Sequence, residues 1–194
     1  MHIAANIDDC AIIIDEFLKK DFFKEISSFN YSKLKSHTSH EKWSDKSLFK
    51  DDKNNITMKE ITQTSNNLLI YKEGKVTHCV DSMFEKIIQV LINCPFIPYR
   101  VNSQIGITYY EYKKFSGINW HNDGKFTLNY SLYIMKEWDL NWGGETLIDT
   151  NRGMPLANLP KPNSLLAIKN DVMHKVCPVI GPEKRKVLQI RSLF

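Results

Sequence analysis

Apolar residues recur at helical spacing in two stretches of the first hundred residues. These stretches are KKDFFKEISSF (19–29) and SMFEKIIQVLINC (82–94). Each has one apolar face, which is the pattern of a helix packed on a core. The first face consists of Phe22, Phe23 and Ile26, and the second of Met83, Phe84, Ile87, Ile88 and Leu91. We therefore predict two amphipathic helices.

The remaining apolar segments are short and typical of strands. The run AIIIDEFL (11–18) predicts a buried strand ahead of the first helix. Beyond residue 104, strand-like segments follow one another with turn residues between them. They are IGITYYEY (105–112), FTLNYSLYIM (126–135), GETLIDT (144–150), NSLLAIKN (163–170) and KVLQIRSLF (186–194). We expect a mainly β fold of the α+β class, with a sandwich or jelly-roll core braced by the N-terminal helices.

The 194 residues fit one domain, 1–194. We expect residues 1–100 to form a helical support and lid region, and residues 101–194 to form the β core. Residues 31–66 are polar and mixed in charge, and we interpret them as a lid or an insertion. The segment 67–80 resembles a hairpin with a glycine in its turn.

Composition excludes several classes of protein. Hydrophobic residues make up 42% and charged residues 25%, as in a globular protein. The net charge of +4 comes from scattered lysines, so nucleic acid is not expected as a partner. No segment has the pattern of a signal peptide or the length of a membrane span. The four cysteines lie far apart without a CxxC pair, which favours a reduced, cytoplasmic protein.

His121 and Asp123 stand two residues apart at the end of a predicted strand. Residues i and i+2 of a strand point to one side, so an imidazole and a carboxylate can meet there. One further histidine would complete a facial triad, which suits Fe(II) in an oxygenase. His174 is the favoured candidate among the other five histidines, because it follows a predicted strand and a turn.

Three segments resemble the iron(II)/2-oxoglutarate-dependent dioxygenases, and among them the prolyl-4-hydroxylase-like branch. They are YYEYKKFSGINWHND (109–123), SLYIMKEWDLNWGGE (131–145) and HKVCPVIGPEKRKVLQI (174–190). The resemblance covers roughly residues 104–194 and implies a double-stranded β-helix. It further implies Fe(II) held by His121, Asp123 and His174, with 2-oxoglutarate and O2 as co-substrates and ascorbate as an optional reductant.

The reaction implied by this resemblance is hydroxylation of an unactivated C–H bond, with release of succinate and CO2. The substrate would be a peptidyl residue, a free amino acid or a small metabolite. Residues 31–66 and the loop at 151–163 are the expected specificity elements.

A cation should bind the far carboxylate of 2-oxoglutarate, and Lys184, Arg185 and Arg191 are candidates. If the last strand begins at Arg185, then Arg185 and Arg191 share a face and Lys184 points away as a solvated turn residue. We assign Arg185 to the far carboxylate, and we expect Arg191 near the iron end or the substrate. Tyr133 matches a tyrosine that binds 2-oxoglutarate in related hydroxylases.

Two tyrosines of the preceding strand, Tyr110 and Tyr112, share one face and are further candidates, of which we favour Tyr112. Each of these tyrosines can equally be a core aromatic residue with a satisfied hydroxyl. The strand that carries Tyr133 alternates polar and apolar residues. In the expected fold its polar set faces the cofactor cavity: Thr127, Asn129, Ser131 and Tyr133.

Two other functions compete with the hydroxylase. Arg185 and Arg191 stand six residues apart, like the paired arginines of AlkB-type nucleic-acid demethylases. No basic stripe with interleaved aromatic residues supports that function. A β-helix that serves as a non-catalytic binding module is the other alternative.

Several further residues have simpler interpretations. His37 and His40 lack the additional ligands of a zinc site, His2 is expected to fray and His78 to lie in a strand. Gly143–Gly144 predicts a tight turn. Trp138 and Trp142 are expected to pack, and Trp120 either packs or lines the substrate entrance.

Overall fold

A computed structural model describes residues 1–7, 10–35, 56–61, 69–70, 81–97, 104–124, 128–150 and 152–193. The helices are α1 (Lys20–Ser28) and α2 (Ser82–Ile92). The strands are β1 (His2–Ile7), β2 (Ala11–Asp15), β3 (Ile56–Glu60), β4 (Leu69–Ile70), β5 (Gln104–Tyr112), β6 (Ile118–His121), β7 (Leu128–Tyr133), β8 (Thr146–Ile148), β9 (Leu156–Asn158), β10 (Leu165–Lys169), β11 (His174–Val176) and β12 (Arg185–Leu193).

The strands form two antiparallel sheets. The larger sheet has eight strands in the order β1-β2-β10-β7-β12-β5-β3, and β4 also pairs with β5. The smaller sheet has four strands in the order β6-β11-β8-β9. Apart from β1–β2, β4–β5 and β8–β9, the paired strands are not consecutive in sequence, as in a jelly roll. This arrangement confirms the predicted mainly β fold.

Both predicted helices form and cover the outer face of the larger sheet. Asp81 caps α2 by accepting a hydrogen bond from the backbone N–H of Met83 (2.8 Å). All five apolar residues predicted for its inner face are buried, while α1 buries Ile26 and half-buries Phe22 and Phe23. They pack on residues of β7 and β12 such as Leu132 and Leu188. None of the described helices is long and apolar enough to cross a membrane.

A second apolar cluster lies between the two sheets. Its members include Tyr112, Tyr133 and Val187 from the larger sheet, and Ile118 and Val176 from the smaller one. Five strands of the larger sheet, β2, β5, β7, β10 and β12, therefore contribute to both cores through alternating side chains. The cavity described below opens within this second layer.

Two stretches differ from the sequence predictions. His2 begins β1 and pairs with Asp15, so the prediction of a frayed N-terminus is wrong. Residues 56–60, inside the predicted lid or insertion, form β3, because they complete the edge of the larger sheet against β5. Apart from Leu69–Ile70, which pairs with β5, the predicted hairpin lies outside the described residues. So do three of the histidines: His37, His40 and His78.

Candidate active site

Strand pairing in the smaller sheet brings two distant histidines together. His174 in β11 is the register partner of His121 in β6. The two imidazole rings lie 4.3 Å apart between centroids. Both residues are buried, although 53 residues of chain separate them. The long-range contact that the predicted triad requires is therefore present.

Asp123 joins the two histidines just beyond the end of β6. Its Oδ2 lies 3.4 Å from Nε2 of His174, and the two side chains are 5% and 6% exposed, respectively. One ligand atom from each of the three residues lies within 4.8 Å of the others. This is the only such group among the described residues. Two imidazoles and one carboxylate match the donor set of a non-haem Fe(II) site.

Backbone carbonyls fix the orientation of both imidazoles. Nδ1 of His121 lies 2.7 Å from the carbonyl oxygen of Asn119, and Nδ1 of His174 lies 3.0 Å from that of Val172. Each Nδ1 must carry a proton to donate to a carbonyl, and in the neutral imidazole each Nε2 then keeps a lone pair. Metal-ligating histidines are oriented in this way. The three residues therefore fit a divalent metal by geometry and by tautomer.

The larger sheet supplies the opposite wall of the cavity. Asn129 and Ser131 of β7 and Gln189 of β12 line it, as their alternation along the strands requires. Asn129 donates a hydrogen bond to Asp123, and Gln189 donates one to Asn129. Ser131 Oγ donates to Oε1 of Gln189 at 3.0 Å. Of the polar residues predicted to face the cavity, Asn129 and Ser131 line it and Tyr133 lies behind its wall, while Thr127 lies outside the described residues.

Arg185 is a buried cation at the cavity. It is 2% exposed, and its Nη2 donates to Thr146 Oγ1 (3.2 Å) and Tyr133 OH (3.4 Å). Among the described residues no carboxylate pairs with it, and its Nε–H has no hydrogen-bond partner there. A buried charge is costly without a counter-charge. An anionic ligand at this end of the cavity would supply one.

Two tyrosines, Tyr112 and Tyr133, flank the guanidinium of Arg185. The guanidinium of Arg185 lies 4.7 Å from the ring centroid of Tyr112 and 5.1 Å from that of Tyr133. The Tyr133 hydroxyl also accepts a hydrogen bond from Asn158 Nδ2 (3.0 Å). Burial raises the pKa of Tyr112 above its ordinary value, although nearby Arg185 lowers it, so its phenol is neutral at pH 7. Tyr112 lines the cavity directly, whereas Tyr133 contacts Arg185 and Thr146 behind it.

Arg191 lies further along the same face of β12. It donates a hydrogen bond to the Tyr110 hydroxyl at 3.0 Å, and both residues line the cavity. Burial alone would lower the pKa of Arg191, but Tyr110 and the carboxylate of Asp123 outweigh burial and raise it. Arg191 is thus a cation on the Asp123 side of the cavity.

Lys184 is separated from the cavity. Its ammonium donates to Glu111 Oε1 at 2.7 Å, and its side chain is 50% exposed. The expectation of a merely solvated residue was therefore incomplete, since Lys184 forms a surface ion pair. Strand β12 begins at Arg185, so the two neighbours point to opposite faces, as predicted.

The tryptophans near the site have structural contacts. Trp120 lies against Lys175, at 5.8 Å between ring centroid and Nζ. The neighbours of Lys175 in β11 line the cavity, so Lys175 and Trp120 lie on the opposite face. Trp138 and Trp142 pack edge to face at 5.5 Å. The glycine pair forms a turn with positive φ at both residues, Gly143 (70°) and Gly144 (73°).

Thr146 and Asn158 are site residues that the sequence analysis did not single out. They face each other across β8 and β9 and contact Tyr133, and Thr146 also contacts Arg185. Gln189 lies on the same face of β12 as Arg185 and Arg191, although no role was predicted for it. A threonine and an asparagine in short strands are ordinary residues, and only the pairing of the strands reveals their convergence.

The model of the 2OG-Fe(II) oxygenase superfamily matches residues 107–190. No curated protein matches the chain in sequence. Crystal structures share its fold at low sequence identity. A prolyl-4-hydroxylase from Pseudomonas putida is 12% identical, with a TM-score of 0.61 over 95% of this chain and 92% of its own.

Two more structures extend this comparison. The prolyl hydroxylase of Trichoplax adhaerens, in complex with a hypoxia inducible factor oxygen degradation domain peptide fragment, is 15% identical, with a TM-score of 0.63 over 95% of this chain and 84% of its own. HygX from Streptomyces hygroscopicus, with nickel and 2-oxoglutarate bound, is 7% identical, with a TM-score of 0.60 over 95% and 83%. At these identities the likeness establishes the fold.

Proposed function

We propose that the protein hydroxylates an unactivated C–H bond with 2-oxoglutarate and O2 as co-substrates, because residues 107–190 match the model of the 2OG-Fe(II) oxygenase superfamily. In this proposal Fe(II) is held by His121, Asp123 and His174. The supporting observation is that one cavity is lined by this donor set and by a buried cation, Arg185, that has no ion pair among the described residues. The donor set suits a divalent metal, and the buried cation suits a carboxylate of a dicarboxylate ligand.

The residues of the chain have separable tasks in this reaction. Both imidazoles are held with Nε2 toward the metal by the carbonyl groups that accept their Nδ1 protons. Arg185 binds the far carboxylate of 2-oxoglutarate, assisted by the hydroxyl of Thr146. Apolar side chains of the cavity, Ile118, Ile168 and Val176, exclude water from the reacting groups. Bound Fe(II) supplies the oxidative chemistry, which yields succinate, CO2 and the hydroxylated product.

Tyr112, Tyr133 and Arg191 complete the proposed co-substrate environment. Tyr112 lies on the cavity wall beside Arg185, and the hydroxyl of Tyr133 accepts a hydrogen bond from Arg185. Arg191 lies toward Asp123, near the iron end or the substrate. Ascorbate is the proposed reductant that keeps the iron ferrous.

We place the substrate among peptidyl residues, free amino acids and small metabolites. The Trichoplax adhaerens structure contains a peptide, which supports the peptidyl class. The three cysteines in the described part of the chain, Cys10, Cys94 and Cys177, are free thiols, which supports a cytoplasmic location.

Succinate release tests the proposal. Purified protein is supplied with Fe(II), ascorbate, 2-oxoglutarate and pools of peptides, amino acids or small metabolites. We expect iron-dependent succinate release in one pool, and loss of release to the iron-free background when any triad residue becomes alanine. His2→Ala is the matched control, because His2 is a surface histidine whose side chain is 59% exposed. Triad variants that fold and still turn over at wild-type rates would remove the metal assignment.

A further inference from the structure

We propose that Asn129 and Gln189 are positioning residues that hold the carboxylate of Asp123 in the orientation required by the metal. This inference rests on the proposed function, because it concerns the same metal site. Asn129 donates from Nδ2 to Oδ2 of Asp123, and Gln189 donates from Nε2 to Oδ1 of Asn129. Ser131 is the last member of this hydrogen-bond chain, and its Oγ donates to Oε1 of Gln189 at 3.0 Å.

The direction of this hydrogen-bond chain follows from its end at Asp123. An ionised carboxylate only accepts hydrogen bonds, so Asn129 must turn its NH2 group toward Asp123. The carbonyl oxygen of Asn129 then faces Gln189, which must also present its NH2 group. Strand register supports this order, because Gln189 lies directly opposite Ser131, and Asn129 opposite Arg191. Each amide therefore directs a donor toward the metal site.

Asp123 needs such support because of where it lies in the chain. It follows the end of β6 and precedes Gly124, so no strand pairing holds its backbone. A carboxylate that rotates freely can bind a metal through both oxygens and occupy a coordination position that a co-substrate needs. A donor fixed on Oδ2 restricts this rotation and favours binding through one oxygen.

The simpler interpretation is that the two amides only satisfy each other in a buried place. Buried polar groups are usually hydrogen-bonded, and Asn129 is 5% exposed. This interpretation predicts a lower free energy of unfolding for the variants and an unchanged affinity for metal. The measured affinity for metal therefore distinguishes the positioning role from the purely structural role.

A double-mutant cycle read out by Mn(II) affinity tests the proposal. Supporting partners of metal ligands typically contribute about 10- to 100-fold in affinity, so Asn129→Leu should weaken Mn(II) binding by that factor. Gln189→Leu should weaken it less. The double variant should bind like Asn129→Leu alone, because Gln189 acts through Asn129. Asn93→Leu, at an exposed asparagine beyond α2, is the control and should bind like wild type.

Gln189→Glu gives a test of opposite sign. At pH 8 a glutamate at this position only accepts hydrogen bonds, so Asn129 should turn its NH2 group to it and its carbonyl oxygen toward Asp123. The proposal therefore predicts weaker Mn(II) binding. Added negative charge near a cation would by itself strengthen binding. Tighter binding by Gln189→Glu would overturn the proposal.

The remaining outcomes are also decisive. Wild-type affinity in Asn129→Leu, or losses that add in the double variant, would overturn the proposal while leaving the metal site intact. Failure of the wild-type protein to bind Mn(II) would instead defeat the proposed function. Metal-free melting temperatures report whether each variant folds. If Asn129→Leu does not fold, Gln189→Leu decides, and unchanged Mn(II) affinity in that variant counts against the proposal.

Discussion

Replacing Arg185 with methionine should separate co-substrate binding from stability. Methionine keeps most of the side-chain length and removes the charge. In the ligand-free protein this substitution removes a buried cation without an ion pair among the described residues, but it also loses the contacts with Tyr112 and Tyr133. These effects oppose each other, since cation–π contacts contribute about 0.5–2 kcal/mol and burying an uncompensated charge costs a similar amount or more. We therefore expect a small change in the free energy of unfolding without ligand.

The effect on 2-oxoglutarate binding should be much larger. Losing one partner of a buried ion pair costs about 3–5 kcal/mol, which is roughly a hundredfold to several thousandfold in Kd. A ligand present at 100 times its Kd stabilises a protein by about 2.7 kcal/mol, and at its Kd by only about 0.4 kcal/mol. For a protein of this size the first value raises Tm by roughly 5–10 °C. Arg185→Met should lose most of that rise.

Thermal melts with Mn(II), with and without 2-oxoglutarate, measure this difference. Lys184→Met is the control, because Lys184 is the adjacent cation and forms a surface ion pair with Glu111. It should keep the full rise in Tm. A full rise in Arg185→Met together with a lost rise in Lys184→Met would refute the assignment and would mean that the lysine holds the far carboxylate.

Two further predictions concern stability. Burial raises the pKa of Glu111, but hydrogen bonds from Lys184 and Tyr109 outweigh burial and lower it. Its contribution is therefore fully present above the ordinary pKa of 4.5 and is lost as the pH falls through the lowered pKa of the folded protein. Glu111→Gln should thus cost about 1 kcal/mol or less at pH 7 and less at pH 3, measured by urea unfolding. A β-carbon on Gly181 would lie 2.2 Å from Cγ of Trp142, so Gly181→Ala should cost about 1–3 kcal/mol, and the Trp142→Ala background should relieve most of that loss. An equal loss in both backgrounds would contradict this.

Sequence patterns within one segment predicted the helices and strands whose buried faces that segment itself determines. The five apolar positions of α2 were correct because one helix face packs on one sheet. Strand β3 was missed because its sequence, ITMKE, is only five residues long and lies within a polar segment, and it forms by pairing with β5. The pairing of β6 with β11 likewise depends on both strands, and neither sequence alone specifies its register.

Site residues could be predicted where they belong to one short motif. They could not be predicted where the site combines side chains from several strands. His121 and Asp123 are two residues apart, so their convergence follows from strand geometry. The contacts of Thr146 and Asn158 with Tyr133 connect strands from both sheets. No spacing within one segment reports such a contact.

Strand β12 shows how the core selects the residues of the site. Leu188 and Ile190 point toward the helices and are fully buried there, while Arg185, Gln189 and Arg191 point into the cavity. A shift of one residue would place both apolar side chains in the polar cavity and turn the arginines toward the helical layer. Burying those apolar side chains contributes about 1.5–3 kcal/mol each, and the shift would forfeit it. The packing of the helices thus fixes the register that presents Arg185, rather than Lys184, to the cavity.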